Sequence, residues 1–158
     1  MHYYKISRVN TSLDQTDGWN SFGDVSNYKY ERYLNDYLDT ESAYLKTIFA
    51  IMQKNKIDLM NDFRFIVRSG ENMKNIPFQL SSNLLSDFEN NFRKCLRGEL
   101  WSLMNVGGEK FSLTFSHDMW VYISSEEPIK ESHFVFNDKY IYLYQVSREF
   151  WEDWLGDI

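Results

Sequence analysis

The sequence contains three histidines, the first residues to consider for metal binding or acid–base chemistry. His2, His117 and His133 are far apart along the chain, and none has the short spacing that places two ligands around zinc. His117 precedes Asp118 near a predicted turn, so the two could form part of a general-base pair. A turn histidine beside a solvated acid is the more ordinary interpretation. We therefore predict no metal site and no cofactor.

The single cysteine and the glycine pair are also poor candidates for catalysis. Cys95 lies on the apolar stripe of a predicted helix, which indicates a core thiol and not a nucleophile. One cysteine cannot form an internal disulfide, which favours a reducing compartment. Gly107 and Gly108 precede a predicted strand, so they indicate a helix stop and no phosphate-binding loop. We therefore predict a protein without catalytic activity.

The basic residues form two small groups, and the net charge argues against phosphate binding by either. Arg64 and Arg68 share one face of a predicted strand, whereas Arg93, Lys94 and Arg97 cluster on a predicted helix. The chain has 23 acidic and 17 basic residues, a formal charge of −6 and a pI near 5.1. Such a protein repels nucleic-acid backbones and anionic lipids. We expect these cations to be solvated or paired, with neither nucleic acid nor a membrane as direct partner.

Ten of the 23 acidic residues lie in three segments, each suited either to solubility or to contact with a cationic protein. They lie in a first polar loop, in a second loop and in the C-terminal tail, and two tryptophans adjoin them. An aromatic anchor with a charged rim is typical of protein interfaces. The residues predicted to bind a partner are Asp14, Asp17, Trp19, Asp24, Glu126, Glu127, Asp153, Trp154 and Asp157.

Length and composition indicate one domain, comprising residues 1–158, with a large core. Aromatic residues make up 18% of the chain, enough to supply both a core and a recognition surface. The N-terminus lacks the pattern of a signal peptide, and no apolar run approaches the length that crosses a bilayer. We expect a cytoplasmic protein.

Periodicity and capping residues predict four helices. Thr40 and Glu41 have the types of an N-cap and a first-turn acid, so a helix should follow them and end near residues 54–56, with a shorter helix before it at 28–38. Apolar residues then step by three and four from Ser82 to Leu103, which predicts about six turns with Gly98 inside as a kink or close contact. Ser147 should cap a short helix at 148–155.

Alternating residues predict strands at 3–9, 63–68, 111–115, 119–123, 134–136 and 140–144. The last two flank Asn137 and Asp138, a hairpin turn signal. This order of elements predicts an α+β fold with a mainly antiparallel sheet and helices packed on one face.

Three segments resemble immunity proteins of bacterial contact-dependent growth inhibition and other polymorphic toxin systems. They are DGWNSFGDV at 17–25, ESAYLKTI at 41–48 and DMWVYI at 118–123. The resemblance implies a cytoplasmic inhibitor that binds a cognate toxin domain, often a nuclease, and blocks its active site or its activation. It transfers no binding residue, because such families share no functional motif.

The hypothesis from sequence is therefore an immunity protein that neutralises a cationic toxin through acidic loops and aromatic anchors. A non-catalytic adaptor or regulatory protein with an unrelated partner is one alternative. An enzyme that uses His117 and Asp118 with a loop carboxylate is the other.

Overall fold

The computed structural model describes residues 1–8, 33–57, 64–69, 72–76, 84–99, 102–106, 110–116 and 119–156. Within these ranges the chain forms eight strands and three helices. The strands are β1 (His2–Ser7), β2 (Arg64–Ser69), β3 (Asn72–Ile76), β4 (Ser102–Val106), β5 (Phe111–Phe115), β6 (Val121–Ser125), β7 (His133–Phe136) and β8 (Lys139–Gln145). The helices are α1 (Leu34–Lys54), α2 (Leu84–Leu96) and α3 (Arg148–Gly156).

All eight strands belong to one sheet, in the order β3-β2-β4-β5-β6-β1-β8-β7. Every neighbouring pair is antiparallel. The first strand lies inside the sheet, with Tyr4 opposite Ile123 of β6 on one side and Gln145 of β8 on the other. The predicted α+β class with an antiparallel sheet is confirmed.

The two longer helices cover one face of this sheet. Tyr4 and Ile6 of β1 are buried on that face, and they join one core cluster with residues of α1, α2, β5 and β6. Phe92 of α2 makes an edge-to-face contact with Phe115 of β5, with ring centroids 5.2 Å apart. Because alternate strand residues point to opposite faces, Lys5 and its neighbours in register lie on the other side.

Helix α1 is one continuous helix, and the prediction of an N-cap at Thr40 is wrong. Thr40 lies in the second turn, where its Oγ1 donates a hydrogen bond to the Asp36 carbonyl oxygen at 2.8 Å. A threonine can satisfy its hydroxyl in this way inside a helix, so its presence does not require a helix start. The segment predicted as a separate helix at 28–38 is part of α1 from Leu34; its first residues lie outside the described ranges.

Helix α2 ends at Leu96, about two turns before the predicted end, and Gly98 is the reason. Gly98 has a φ of +72°, a left-handed conformation that glycine adopts without steric cost. Its N–H donates to the Cys95 carbonyl at 3.0 Å, and the Glu99 N–H donates to the Lys94 carbonyl at 2.9 Å. This hydrogen-bond pair is a Schellman motif, which terminates the helix. The apolar residues beyond Gly98 therefore do not continue the helix, and 102–106 form β4.

The C-terminal hairpin and helix agree with their sequence signals. Asn137 and Asp138 have φ values of 52° and 59°, and a two-residue hairpin turn of type I′ requires positive φ at both positions. Ser147 Oγ accepts a hydrogen bond from the Phe150 N–H at 3.1 Å, which confirms the predicted cap of α3. No helix within the described ranges is both long enough and apolar enough to cross a membrane.

Helix α3 contacts the sheet face opposite α1 and α2. Trp151 packs on Tyr3 of β1, with ring centroids 5.3 Å apart, and Phe150 packs on Tyr122 of β6 at 5.8 Å. Tyr3 and Tyr122 alternate along their strands with the core residues Tyr4 and Ile123. Helix α3 therefore covers this second face around β1 and β6.

Candidate functional site

Most of the residues predicted to bind a partner fall outside the part of the chain that the structure describes. Asp14, Asp17, Trp19, Asp24 and Asp157 lie outside the described residues, as do His117 and Asp118 of the catalytic alternative. Asp153 and Trp154 belong to α3, but their side chains lie outside the described part. Of the predicted set, only the side chains of Glu126 and Glu127 have a described environment.

Glu126 and Glu127 are exposed in the loop between β6 and β7. The Glu126 carboxylate is 4.0 Å from Lys110 Nζ, a long contact between two exposed side chains that contributes little to stability. Glu127 makes no ion pair with any described residue. Both carboxylates thus remain accessible to a partner.

A cleft of about 530 Å³ lies between this loop and the C-terminal end of α1. The Lys54 ammonium and the Glu131 carboxylate form an ion pair at the cleft, and the hydrogen bond from Lys54 lowers the pKa of Glu131. Lys56 and Lys130 also line it, beside Glu127. The cleft therefore mixes both signs of charge, with Glu127 and Glu131 beside Lys54, Lys56 and Lys130.

A different surface emerges on the open face of β7 and β8. Tyr140, Tyr142 and Tyr144 alternate along β8 with the buried residues Ile141 and Leu143. Three tyrosines at every second position must share one strand face, and here it is the face opposite α1 and α2. Tyr140 retains 53% of its accessible surface. Tyrosine side chains therefore stand in a row on the open side of the sheet.

The neighbouring strand extends this row. His133 of β7 stacks on Tyr140 with ring centroids 6.1 Å apart, and it lies 6.4 Å from the ring of Tyr142. Tyr140 and Tyr142 also stack on each other at 6.1 Å. Val135, opposite Tyr140 in register, is 46% exposed. We name these four residues, His133, Val135, Tyr140 and Tyr142, the aromatic face.

The aromatic face has the composition of a protein interface. Tyrosine is enriched at interfaces because a large ring contributes much contact area at a small cost in conformational entropy. Exposed apolar residues that cluster mark interaction sites, whereas scattered ones need no explanation. Val135 and Tyr140 are two of the described large apolar side chains that remain exposed, and they are direct cross-strand neighbours. The sequence drew attention to His133 only as a candidate for metal binding or acid–base chemistry, and this surface was not predicted, although the alternating tyrosines of β8 were a signal for it.

Further along the same sheet face lie a cation and an acidic helix. Lys5 Nζ is 3.2 Å from the ring centroid of Trp120, a cation–π contact, and Lys5 is opposite Tyr144 in register. On α3, Phe150 is 46% exposed and Glu149 is exposed beside it. An exposed ring next to a carboxylate resembles the predicted aromatic anchor with its charged rim. Here Phe150 has the role that the sequence hypothesis gave to a tryptophan.

Two residues of the predicted basic cluster, Arg93 on α2 and Arg97 just after it, form ion pairs, whereas Lys94 is exposed. The fully buried carboxylate of Glu41 on α1 accepts hydrogen bonds from Arg97 Nε at 2.7 Å, from Arg97 Nη2 at 2.9 Å and from Arg93 Nη1 at 2.5 Å. The buried Tyr37 lies beside this group, and its pKa is raised by loss of solvent and by the charge of Glu41. These arginines join two helices and are not available to bind phosphate.

The cysteine and the metal-ligating residue types can be compared with their predictions in the described part of the chain. Cys95 is a buried thiol, as its place on the apolar stripe of α2 predicted. Within the described ranges, no three His, Cys, Asp or Glu side chains lie close enough to hold a metal ion. Comparisons of the chain with models of known protein families, with curated proteins and with solved structures found no match. The interpretation of the site therefore depends on its geometry.

Proposed function

We propose that this protein is a cytoplasmic immunity protein, which binds and neutralises a cognate toxin domain of a contact-dependent growth inhibition or other polymorphic toxin system. The observation that supports binding is the aromatic face: two strands present His133, Tyr140 and Tyr142 as stacked rings on an open sheet surface. The resemblance of the segments at 17–25, 41–48 and 118–123 to immunity proteins supports the choice of a toxin as partner.

The structure changes which residues we propose as the anchors. A binding surface needs large side chains that lose solvent only when the partner arrives, and Tyr140 and Val135 are about half exposed in the free protein. They are held by a hairpin whose inner residues Phe134 and Ile141 are buried in the core. The aromatic face is therefore exposed and yet built on regular structure, so a partner can bind it without ordering a loop.

We expect electrostatic attraction to affect the association rate more than the dissociation rate of the complex. The net charge of −6 attracts a cationic protein over a distance of about one Debye length, roughly 8 Å in physiological salt. Glu126 and Glu127 remain available for direct contact, whereas Glu41 is buried and paired, and Glu131 is paired with Lys54 at the surface. We therefore expect salt and charge reversal to slow association, and truncation of the aromatic face to accelerate dissociation.

The test is co-expression with the product of the adjacent upstream reading frame. We expect that protein to be captured in a stable complex, and cells poisoned by it to be rescued. Tyr140→Ser should weaken the complex by about 2 kcal/mol, roughly thirtyfold in dissociation constant. Leu85→Ser is the matched control, because Leu85 is 52% exposed on α2, away from the aromatic face. It should leave the affinity within about twofold.

The possible outcomes separate the candidate functions. Absence of both complex and rescue would end the immunity proposal. Capture of a non-toxic protein through Tyr140 would favour the adaptor alternative, with the same surface and a different partner. If Leu85→Ser weakens binding and Tyr140→Ser does not, the aromatic face is the wrong surface.

A further inference from the structure

The strand β7 is at one end of the sheet, and its pairing with β8 determines which backbone groups are free. The Leu143 N–H donates to the Ser132 carbonyl at 2.8 Å, so Ser132 and Leu143 are a hydrogen-bonded pair. In an antiparallel ladder, hydrogen-bonded and non-hydrogen-bonded pairs alternate. Phe134 and Phe136 therefore direct their backbone groups at β8, whereas His133 and Val135 direct theirs outward. Each of these two residues presents one free N–H and one free C=O at the sheet edge.

The side chains at this edge do little to prevent pairing with another strand. Proteins protect sheet edges with proline, bulges or charged side chains on the strand itself. The β7 sequence His-Phe-Val-Phe contains no proline and no acidic, lysine or arginine side chain, and Val135 is exposed. Neither His133 nor Val135 bonds through its outward backbone groups to any described residue. The edge thus has the properties of a strand that accepts a partner.

We propose that this edge pairs with the same edge of a second copy, so that the protein forms a two-fold symmetric dimer through β7. A two-fold axis through Phe134 places His133 of one copy opposite Val135 of the other. This register uses all the free groups of both residues, and it gives four hydrogen bonds, two for each His133–Val135 pair. Both side chains of each pair lie on the open sheet face, where the imidazole and the valine methyl groups come into contact.

Charges that flank β7 are complementary under the same symmetry. The register places Lys130, just before the strand, near Asp138 in the hairpin turn of the other copy. Both side chains are exposed, and neither makes an ion pair with a described residue. The two-fold axis generates this contact twice. A strand from an unrelated protein would have to supply both charges at the right spacing, whereas a second copy has them in its sequence, and this decides between the two occupants.

The first experiment measures the mass and the amide protection of the purified protein without any partner. Sedimentation should show the 19.0 kDa mass doubling as the concentration rises over a hundredfold range. Hydrogen exchange, followed by NMR, should show that the amides of His133 and Val135 become protected with the same concentration dependence. The Phe134 amide is already bonded to β8, so its protection should change least. A protein that stays monomeric, or a dimer in which the amides of His133 and Val135 exchange freely, would overturn the proposal.

Variants then test the register. Val135→Pro removes an outward N–H from each copy, two of the four hydrogen bonds, and should raise the dimer dissociation constant at least tenfold. Val135→Thr keeps the N–H and the β-branched shape, so it should stay within about threefold of the parent protein. Circular dichroism and thermal unfolding establish that both variants are folded. If Val135→Pro is unfolded, the exchange measurement on the parent protein still decides the question.

The charge pair gives an independent check. Lys130→Glu places like charges together and should weaken the dimer about fivefold in low salt. Asp138→Asn removes the repulsion and keeps a residue type that tolerates the φ of 59°, so adding it should recover most of that loss. Equal effects of Lys130→Glu with and without Asp138→Asn would contradict the proposed register. Because no toxin is present in these experiments, their outcome is independent of the proposed immunity function.

Discussion

The buried carboxylate of Glu41 and its two arginine partners should contribute unequally to the free energy of unfolding. Glu41 is fully buried, whereas the side chains of Arg93 and Arg97 are 30% and 27% exposed. Removing an arginine leaves a charge without solvent, but removing the charge leaves arginines that still reach water. The free energy of unfolding should therefore fall more when Arg97 is replaced than when Glu41 is neutralised.

The magnitudes follow from the hydrogen bonds. Arg97 donates two hydrogen bonds to Glu41 and Arg93 donates one, so Arg97→Met removes the two-pronged contact to the buried carboxylate and keeps the bond from Arg93. Breaking a buried ion pair in this way costs about 3–5 kcal/mol, a large part of the roughly 5–15 kcal/mol that stabilises a typical domain. Glu41→Gln retains an oxygen acceptor for Arg97 and should cost about 1–3 kcal/mol. Arg93→Met leaves the two bonds from Arg97 intact and should cost least, about 1–2 kcal/mol.

Urea denaturation measures these differences directly. The midpoint should shift without a change in the slope m, because the surface exposed on unfolding stays nearly the same. The double variant Glu41→Leu, Arg97→Met should recover most of the loss seen in Arg97→Met, since an apolar pair leaves no charge to bury. If Arg97→Met costs less than Glu41→Gln, or if the double variant is no better than Arg97→Met, burial of the carboxylate is not the controlling factor.

Other positions provide further tests, all measured as the free energy of unfolding. Gly98→Ala should lose about 1 kcal/mol from its φ of +72° alone, because no atom of a described residue lies within 4 Å of the added Cβ; Lys56→Gly, at the equivalent position after α1 with a φ of 54°, should gain up to about 1 kcal/mol. Thr114→Val removes a fully buried hydroxyl that has no hydrogen-bond partner among the described residues, and it should stabilise by about 1 kcal/mol. The pKa of Glu131 is lowered by Lys54, so the advantage of the parent protein over Glu131→Gln should be complete at neutral pH and fade as the pH falls below 4.5.

The opposite results would contradict the corresponding reasoning. A Gly98→Ala variant as stable as the parent protein would mean that backbone conformation does not end α2. A destabilising Thr114→Val change would point to an important role for the hydroxyl. An advantage over Glu131→Gln that grows in acid would reverse the sign expected for a carboxyl whose pKa is lowered on folding.

Local sequence signals predicted those elements whose boundaries depend on a few neighbouring residues. Asn137 and Asp138 predicted the hairpin turn because few residues adopt positive φ readily, and Ser147 predicted the start of α3 because its hydroxyl caps the helix. The same kind of reasoning went wrong at Gly98. Apolar residues spaced by three and four continue past Gly98, although the helix does not. The left-handed conformation that glycine permits, and not the spacing of apolar residues, determines where α2 ends.

Features that depend on distant segments could not be predicted in this way. Glu41 has the sequence context of a first-turn acid, and its burial became evident only when α2 brought Arg93 and Arg97 against it. The exposure of the aromatic face likewise depends on where α3 lies on the sheet, because Trp151 packs on Tyr3 and Tyr140 stays exposed. Alternation shows that two faces exist; only packing determines which part of a face stays in contact with water.

The position of β1 inside the sheet has a consequence for how the protein is made. The hydroxyl of Tyr4 accepts a hydrogen bond from the backbone of Ile129, 125 residues later in the sequence. A ribosome therefore releases the first strand long before either of its neighbours, β6 and β8, has been synthesised. Until then the core residues Tyr4 and Ile6 have no sheet to join, so we expect them to be exposed to solvent or to chaperones. Because so long a loop must close, we expect folding to be slow and to follow translation. We also expect a chaperone to protect the nascent chain until residue 145 has emerged.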